Sequence, residues 1–402
     1  MRIVRRSLVL GVVVAAGCGD NIPPAGPDLA PAPRLFITAH RDDDMIFMQP
    51  ELIEALQSGP VTTIYVASGD PDGLDHAEQL LEGARYGYGS IVGSNDWDCG
   101  YLPVEDSAVH HCRLRDRDVS LIELDVADGG LQGEMADSML HLVEGKIPDL
   151  PILGPLGGRV TEAQIIDELA AVIAATAPDR IDTLDVAATH GRDHSSHLLS
   201  SSFTLWALAR IHYAGELRWH RGYNVALEDV TLADTDFTPA AAMLGYYEAC
   251  YFKCGPCGTS CAKVDPTHEK LLWRQYSYDR VAAGGQMRLT SGDQCAQVSP
   301  GGELLLGDCA SATAMRLDAS GHLVANQLCA ASKRDGSVAF APCADVPEQY
   351  WLYDSEGHVW NGAPPDAMAG MDYDHVRCLA PGAAATTPTC GADLQPTWQL
   401  LP

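Results

Sequence analysis

Positive charge is scarce in this chain: 26 lysines and arginines stand against 54 aspartates and glutamates, a formal net charge of −28. A surface of that sign repels polyphosphates and anionic headgroups. Nucleic acid and an anionic membrane face are excluded as partners on that ground. Long apolar runs are lacking as well. The stretch "SLVLGVVVAAG" falls short of the roughly 18 residues that cross a bilayer. Disorder is excluded as the default state, because charged residues make up only 20% of the chain and apolar ones 46%.

What is present begins with "MRIVRRSLVLGVVVAAGC", in which three arginines precede the short apolar run and small residues lead to Cys18. That is the layout of an export signal over residues 1–18. Ala15-Ala16-Gly17-Cys18 resembles a bacterial lipoprotein cleavage box, which implies either a lipid on Cys18, the one expected membrane contact, or plain secretion. Residues 19–33 read as a Pro-rich tether.

The chain holds thirteen cysteines, and the twelve beyond Cys18 read as disulfides of an exported protein. They fall in local pairs: Cys99 with Cys112, Cys295 with Cys309, Cys329 with Cys343, and Cys378 with Cys390. The cluster Cys250, Cys254, Cys257 and Cys261 has a spacing that suits two disulfides, or a zinc or iron–sulfur centre.

Between residues 34 and 280, strand and helix patterns alternate. Strands are predicted at 34–40, 61–70, 118–127 and 181–190, and helices at 45–58, 75–90, 161–178 and 194–213. This implies an α/β, Rossmann-like domain with a mostly parallel sheet. Such sheets hold ligands beyond the carboxyl ends of their strands. The polar groups at 40–44, 69–72, 128–130 and 190–194 all fall there. Over 281–402 the helical period disappears and three imperfect cysteine-paired units follow, which predicts a separate all-β domain.

The run "AHRDDDM" crowds Asp42, Asp43 and Asp44 against His40, and "THGRDHSSH" supplies His190, Asp193, His194 and His197. Like charges side by side call for a positive partner. Imidazole nitrogen with carboxylate oxygen suits one divalent metal, zinc first. Two histidines and an aspartate with an open position would make the site catalytic, with a further aspartate free to accept a proton.

"AHRDDDMIF" resembles the AHPDDE signature of PIG-L/LmbE-like de-N-acetylases, and "HGRDHSSH" resembles their HPDH-type signature. "LLEGARYGYGSIVGSNDW" is similar to the family's helix after the second strand, so the resemblance covers about residues 34–250. It implies that His40, Asp43 and His194 bind the metal, that Asp42 is the general base, and that Asp193 orients a histidine. Asp44 would support the site or cap the following helix. Arg41 replaces the usual proline and puts a positive charge near the acids. His190 stands three residues before Asp193 where the family has two, and either fills the role at the carbonyl and leaving group or loses it. Asp70, Asp72, Arg85, Trp97 and Asp128 stand where substrate would be touched.

The final domain resembles the ricin B-type β-trefoil. Gln349-Tyr350-Trp351 matches its QxW element, Gln395-Pro396-Thr397-Trp398 is a stretched version, and Met315 stands where the first tryptophan would. The family's usual sugar-binding carboxylates are replaced by Gln297, Ala331 and Ala380. The resemblances together imply an exported hydrolase that removes acetyl from an N-acetylated amino sugar or glycoconjugate. The alternatives are hydrolysis of a different amide, or a non-enzymatic glycan-binding surface protein with a degenerate catalytic domain. The expected partner is a carbohydrate, and no sequence feature names a protein partner.

Overall fold

Leu35, Phe36 and Ile37 are buried whichever side of their strand they face. A strand of that kind must be central and covered on both sides. In a computed structural model, which describes residues 26–69, 73–105, 107–154, 156–281, 288–365, 375–391 and 394–401, it is. The export signal, Cys18, tether residues 19–25, Asp70 and Asp72 lie outside the described residues.

The elements run β1 (Arg34–Thr38), α1 (Asp43–Phe47), α2 (Glu51–Ser58), β2 (Val61–Ala67) and α3 (Leu74–Val92). Then come β3 (Trp97–Val104), β4 (Ser107–Leu114), β5 (Val119–Val126), α4 (Met139–Val143), β6 (Leu150–Pro151), β7 (Arg159–Val160) and α5 (Glu162–Thr176). β8 (Arg180–Leu184), α6 (Ser195–Ile211), β9 (Glu216–His220), α7 (Asp234–Tyr251), α8 (Pro266–Leu272) and β10 (Ser277–Asp279) complete this part. Eight strands form one sheet in the order β10-β9-β8-β1-β2-β5-β4-β3. The run from β9 to β5 is parallel, while β10 at one edge and the β3–β4 hairpin at the other are antiparallel.

Leu35 and Ile37 join one apolar layer with Ile165 and Leu169 of α5 and Phe203 and Trp206 of α6. Phe36 joins the other, with Leu52 of α2, Tyr88 of α3, Met243 of α7 and Leu272 of α8. α5 starts on a reciprocal cap, in which Thr161 takes the Gln164 amide and the Gln164 side chain takes that of Thr161. Glycine brings α3 against α7: a Cβ at Gly83 would sit 2.7 Å from the Tyr247 carbonyl oxygen.

Three expectations about elements need correction. The helix expected over 45–58 is two helices, because Pro50 cannot continue the first. The strand expected over 181–190 ends at Leu184, and Ala188–His190 is a separate turn. The hairpin β3–β4 and the strands β9 and β10 were not among the predicted elements.

Beyond residue 288 the chain forms three four-stranded antiparallel sheets. Each holds one disulfide: Cys295–Cys309, Cys329–Cys343 and Cys378–Cys390. Leu289, Leu304, Met315, Trp351, Leu379 and Trp398 share one core. Trp351 donates through Nε1 to the carbonyl after Cys329, and Trp398 to the carbonyl after Cys378, so the two units repeat the same contact. Tyr350 and Trp360 pack into the same layer as Trp206 of α6, which joins these sheets to the α/β part.

Cys99–Cys112 ties the β3–β4 hairpin, and Cys250–Cys257 with Cys254–Cys261 closes the choice left open for that cluster: no thiolate of it is free for a metal. Six disulfides fit an oxidising, extracellular setting. Among the described residues no helix is long and apolar enough to cross a membrane.

Candidate metal centre

β1 delivers His40 beyond its carboxyl end, and the loop folds back at once, with the His40 amide donating to Asp43 Oδ2 at 2.7 Å. α6 meets this loop with its first turn. His194 is its N-cap, where Nδ1 accepts from the Ser196 amide at 3.2 Å. His197, three residues on and fully buried, comes round beside it.

His197 Nε2 lies 3.2 Å from His40 Nδ1 and 3.0 Å from Asp43 Oδ1. His40 Nδ1 is 3.4 Å from Asp43 Oδ2. One ligand atom from each of these three residues falls within 4.8 Å of the others. Asp43 Oδ1 is buried and has no aligned hydrogen-bond donor among the described residues, close as His197 is. Buried polar atoms are rarely left so. His40 Nδ1 and His197 Nε2 are within hydrogen-bond reach of each other, and with an Asp43 oxygen they make a donor set that could hold a metal ion. On the other side of His40, Asp128 Oδ1 is 2.9 Å from Nε2 and accepts from Ser196 Oγ at 2.7 Å.

The electrostatics agree with that reading. Burial alone would raise the Asp43 carboxyl, but the His197 and His40 imidazoles hold it well below the usual carboxylate range. Burial would depress His197, and the Asp43 and Asp193 charges outweigh it and push the ring up to about 9. His40 rises in the same way, burial being outweighed by Asp43 and Asp128. His194 goes the other way: burial and the charges of His40 and His197 push it down to about 3. The carboxylates of Asp43, Asp128 and Asp193 thus favour positive charge on these two rings, and a divalent cation bound there would supply that charge in place of ring protons. Burial and the neighbouring Asp43 raise Asp42, against His268, His40 and the hydrogen bond it accepts from Tyr247.

The structure brings His40, Asp42, Asp43, Asp128, Asp193 and His194 into one region, and alters the roles of several. His197 is the third group against His40 and Asp43, because the helix register places residue 197 inward and residue 194 at the cap, while His194 shares a second candidate donor set with His40 and Asp128. His194 holds Ser196 Oγ at 2.6 Å and lies edge-on to His40, ring centroids 4.7 Å apart. Asp193 is 3.2 Å from His197 Nδ1, so it orients that ring.

His190 points elsewhere, with its two nitrogens on Asp185 at 3.2 Å and Glu356 at 2.9 Å. Its turn ends at Gly191, whose φ of 102° redirects the chain before Asp193. Arg41 also turns away from the acids beside it. It is buried and pairs with Glu123 at 2.8 Å and Asp125 at 3.0 Å on β5. Asp44 caps no helix end. It lies inside α1 and accepts from Tyr65 at 3.1 Å and from Tyr88, with its carboxyl pushed up to about 7, chiefly by burial. Trp97 packs against the apolar layer of α3 and α7. Arg85 lines a cavity of about 750 Å³ with Arg41, Ser68, Tyr101, Glu123 and Asp125. None of His40, Asp43, Asp128, His194 and His197 lines that cavity.

Sequence reasoning placed His197 in the cluster without a role, and missed Ser196, Tyr247 and His268. The role of His197 had a signal: histidines three apart at the start of a helix share a face. Tyr247 and His268 had none.

No family model matches the chain, and no curated protein matches it. Among solved structures, the β-trefoil lectin of the Vibrio vulnificus hemolysin/cytolysin, with N-acetyl-D-lactosamine bound, aligns with 30% of this chain and 96% of its own. The identity is 14% and the TM-score 0.25, a likeness too slight to carry an argument.

Proposed function

We propose that this protein is an exported, zinc-dependent amidohydrolase that removes acetyl from an N-acetylated amino sugar or its conjugate. The observation that carries the reading is the convergence of His40 Nδ1, Asp43 and His197 Nε2, with Asp43 Oδ1 buried and unbonded between them. The resemblance of "AHRDDDMIF" and "HGRDHSSH" to the PIG-L/LmbE-like signatures supports it, with the metal ligands reassigned to His40, Asp43 and His197. Zinc, when bound, supplies Lewis acidity to a carbonyl and to water.

The chain supplies the rest. Asp42, raised by burial and beside Asp43, takes a proton from the attacking water, and Tyr247 fixes its orientation. His194, kept neutral, can hydrogen-bond the developing oxyanion or the leaving nitrogen. Water oxygen bonds to the acetyl carbon, the C–N bond breaks, and acetate and an amine leave. The adjacent cavity gives room for a sugar ring at the same strand ends.

We read residues 281–402 as a β-trefoil of the ricin B type, supported by the three sheets with their own disulfides and the matched Trp351 and Trp398 contacts. Gln297, at one usual sugar-binding place, already donates to Asp308 O and Ser311 Oγ. A lipid on Cys18 would hold the enzyme at the cell envelope; without it the enzyme is secreted.

The test is acetate release across N-acetyl sugars and unrelated amides. Asp42→Asn should abolish release and leave zinc bound. Release only from unrelated amides would move the assignment to another amidohydrolase. Bound zinc with no release from any substrate would leave a sugar-binding surface protein.

A further inference from the structure

His212 closes α6 with a left-handed backbone, φ 48°, and its ring leaves the α/β part for the small sheets. Its Nδ1 lies 3.1 Å from the carbonyl oxygen of Ser320. A carbonyl only accepts, so Nδ1 carries the proton and Nε2 keeps a bare lone pair. That Nε2 is buried with no hydrogen-bond partner among the described residues. The Tyr350 ring stands at 89° to the imidazole with centroids 5.5 Å apart, which fixes its plane.

His322 faces it, ring centroids 5.1 Å apart. His322 Nε2 is 3.8 Å from Asp345 Oδ1. On the other side of that ring, Nδ1 lies 3.2 Å from Ser320 Oγ and 3.8 Å from Asp318 Oδ2. One ligand atom from each of His212, His322 and Asp345 falls within 4.8 Å of the other two.

We propose that His212, His322 and Asp345 form a second divalent-cation site that ties the end of α6 to the small-sheet part. Two neutral imidazoles and a carboxylate favour zinc, and two nitrogen donors disfavour calcium and magnesium. Each imidazole is backed as metal-ligating histidines are: the Ser320 carbonyl stands behind His212, and Ser320 Oγ with Asp318 behind His322. His322 Nε2 also has the Ala344 carbonyl at 3.2 Å. On binding, it gives up that contact and its ring proton sits on Nδ1, toward Ser320 and Asp318. Asp345 is 83% exposed at its side chain, so it can close on the ion from solvent. The seam at this point is otherwise held by Tyr350 Oη donating to Tyr213 O at 2.9 Å and Arg280 donating to Ala319 O at 2.8 Å.

The experiment counts zinc in the full chain after dialysis against zinc and gel filtration. Wild type should hold one equivalent more than His212→Asn. Asparagine tolerates the left-handed backbone and keeps an amide donor for Ser320 O. Asp345→Asn, on the surface, should bind that equivalent about tenfold or more weakly. Added zinc should raise the melting temperature of wild type more than that of either variant. Because the count is a difference between variants, it stands whether or not His40, Asp43 and His197 hold metal, and His40→Ala/His197→Ala should keep the extra equivalent. Equal zinc content in wild type and folded His212→Asn would overturn the proposal. Should that variant not fold, unchanged zinc affinity in Asp345→Asn would overturn it.

Discussion

His197 Nε2 stands 3.0 Å from Asp43 Oδ1 with no hydrogen bond aligned between them. The two residues come from different strand–helix units and meet beyond the carboxyl end of β1, so the fold itself builds the contact. His197→Ala should therefore lose one equivalent of bound zinc, and hydrolysis with it. His190→Ala, whose ring serves Asp185 and Glu356, should keep its zinc. Elemental analysis of the two purified variants checks this.

Gly83 sets the approach of α7, and through it the position of Tyr247 on Asp42. A Cβ there would meet the Tyr247 carbonyl oxygen at 2.7 Å and Cδ2 at 3.0 Å. Gly83→Ala should cost about 1–3 kcal/mol of stability from overpacking. It should also lower kcat while leaving zinc affinity unchanged. Urea unfolding and turnover measured on the same preparation separate the two effects.

Arg41 neutralises a pair of buried carboxyls, Glu123 and Asp125. Burial and then Glu123 push Asp125 up to about 7 even with the guanidinium present. Arg41→Met leaves the two acids with only the His110 imidazole, 3.6 Å from Glu123, as counter-charge and should cost roughly 3–5 kcal/mol at neutral pH. Protonating the acids relieves the repulsion, so the deficit should shrink as pH falls below about 7, as denaturant titrations at two pH values would show.

Glu356 and Asp185 clamp His190 between the small sheets and the α/β part. Burial would lower this imidazole, but Asp185 and Glu356 push it up to about 9. A histidine raised on folding contributes stability that is complete below its unfolded pKa of about 6.5 and is lost as pH rises through about 9. The melting-temperature gap between wild type and Glu356→Gln should be widest between about pH 5 and 6.5 and should close above 9. A gap that widens with pH would contradict the assignment.

The central strands were legible because Leu35–Ile37 is apolar without a break and Val61–Ala67 is almost wholly β-branched and aromatic, the mark of strands covered on both faces. The β3–β4 hairpin was not, since its residues are mixed in polarity and Cys99–Cys112 does the work of a turn signature. His40 and Asp43 could be read from local crowding. The third group could not be settled that way, because choosing between His194 and His197 depends on where α6 begins, and helix ends are set by capping and packing together. Tyr247 reaches Asp42 through the approach of two helices separated by more than a hundred residues, which no local pattern records.

The most direct measurement is acetate release from an N-acetylated amino sugar by full-length protein stripped with a chelator and then reloaded with zinc in excess of both proposed sites. Release should vanish on stripping, return on reloading, and fail to return in His197→Ala. Release that persists through stripping, or that reloaded His197→Ala recovers in full, would contradict the account.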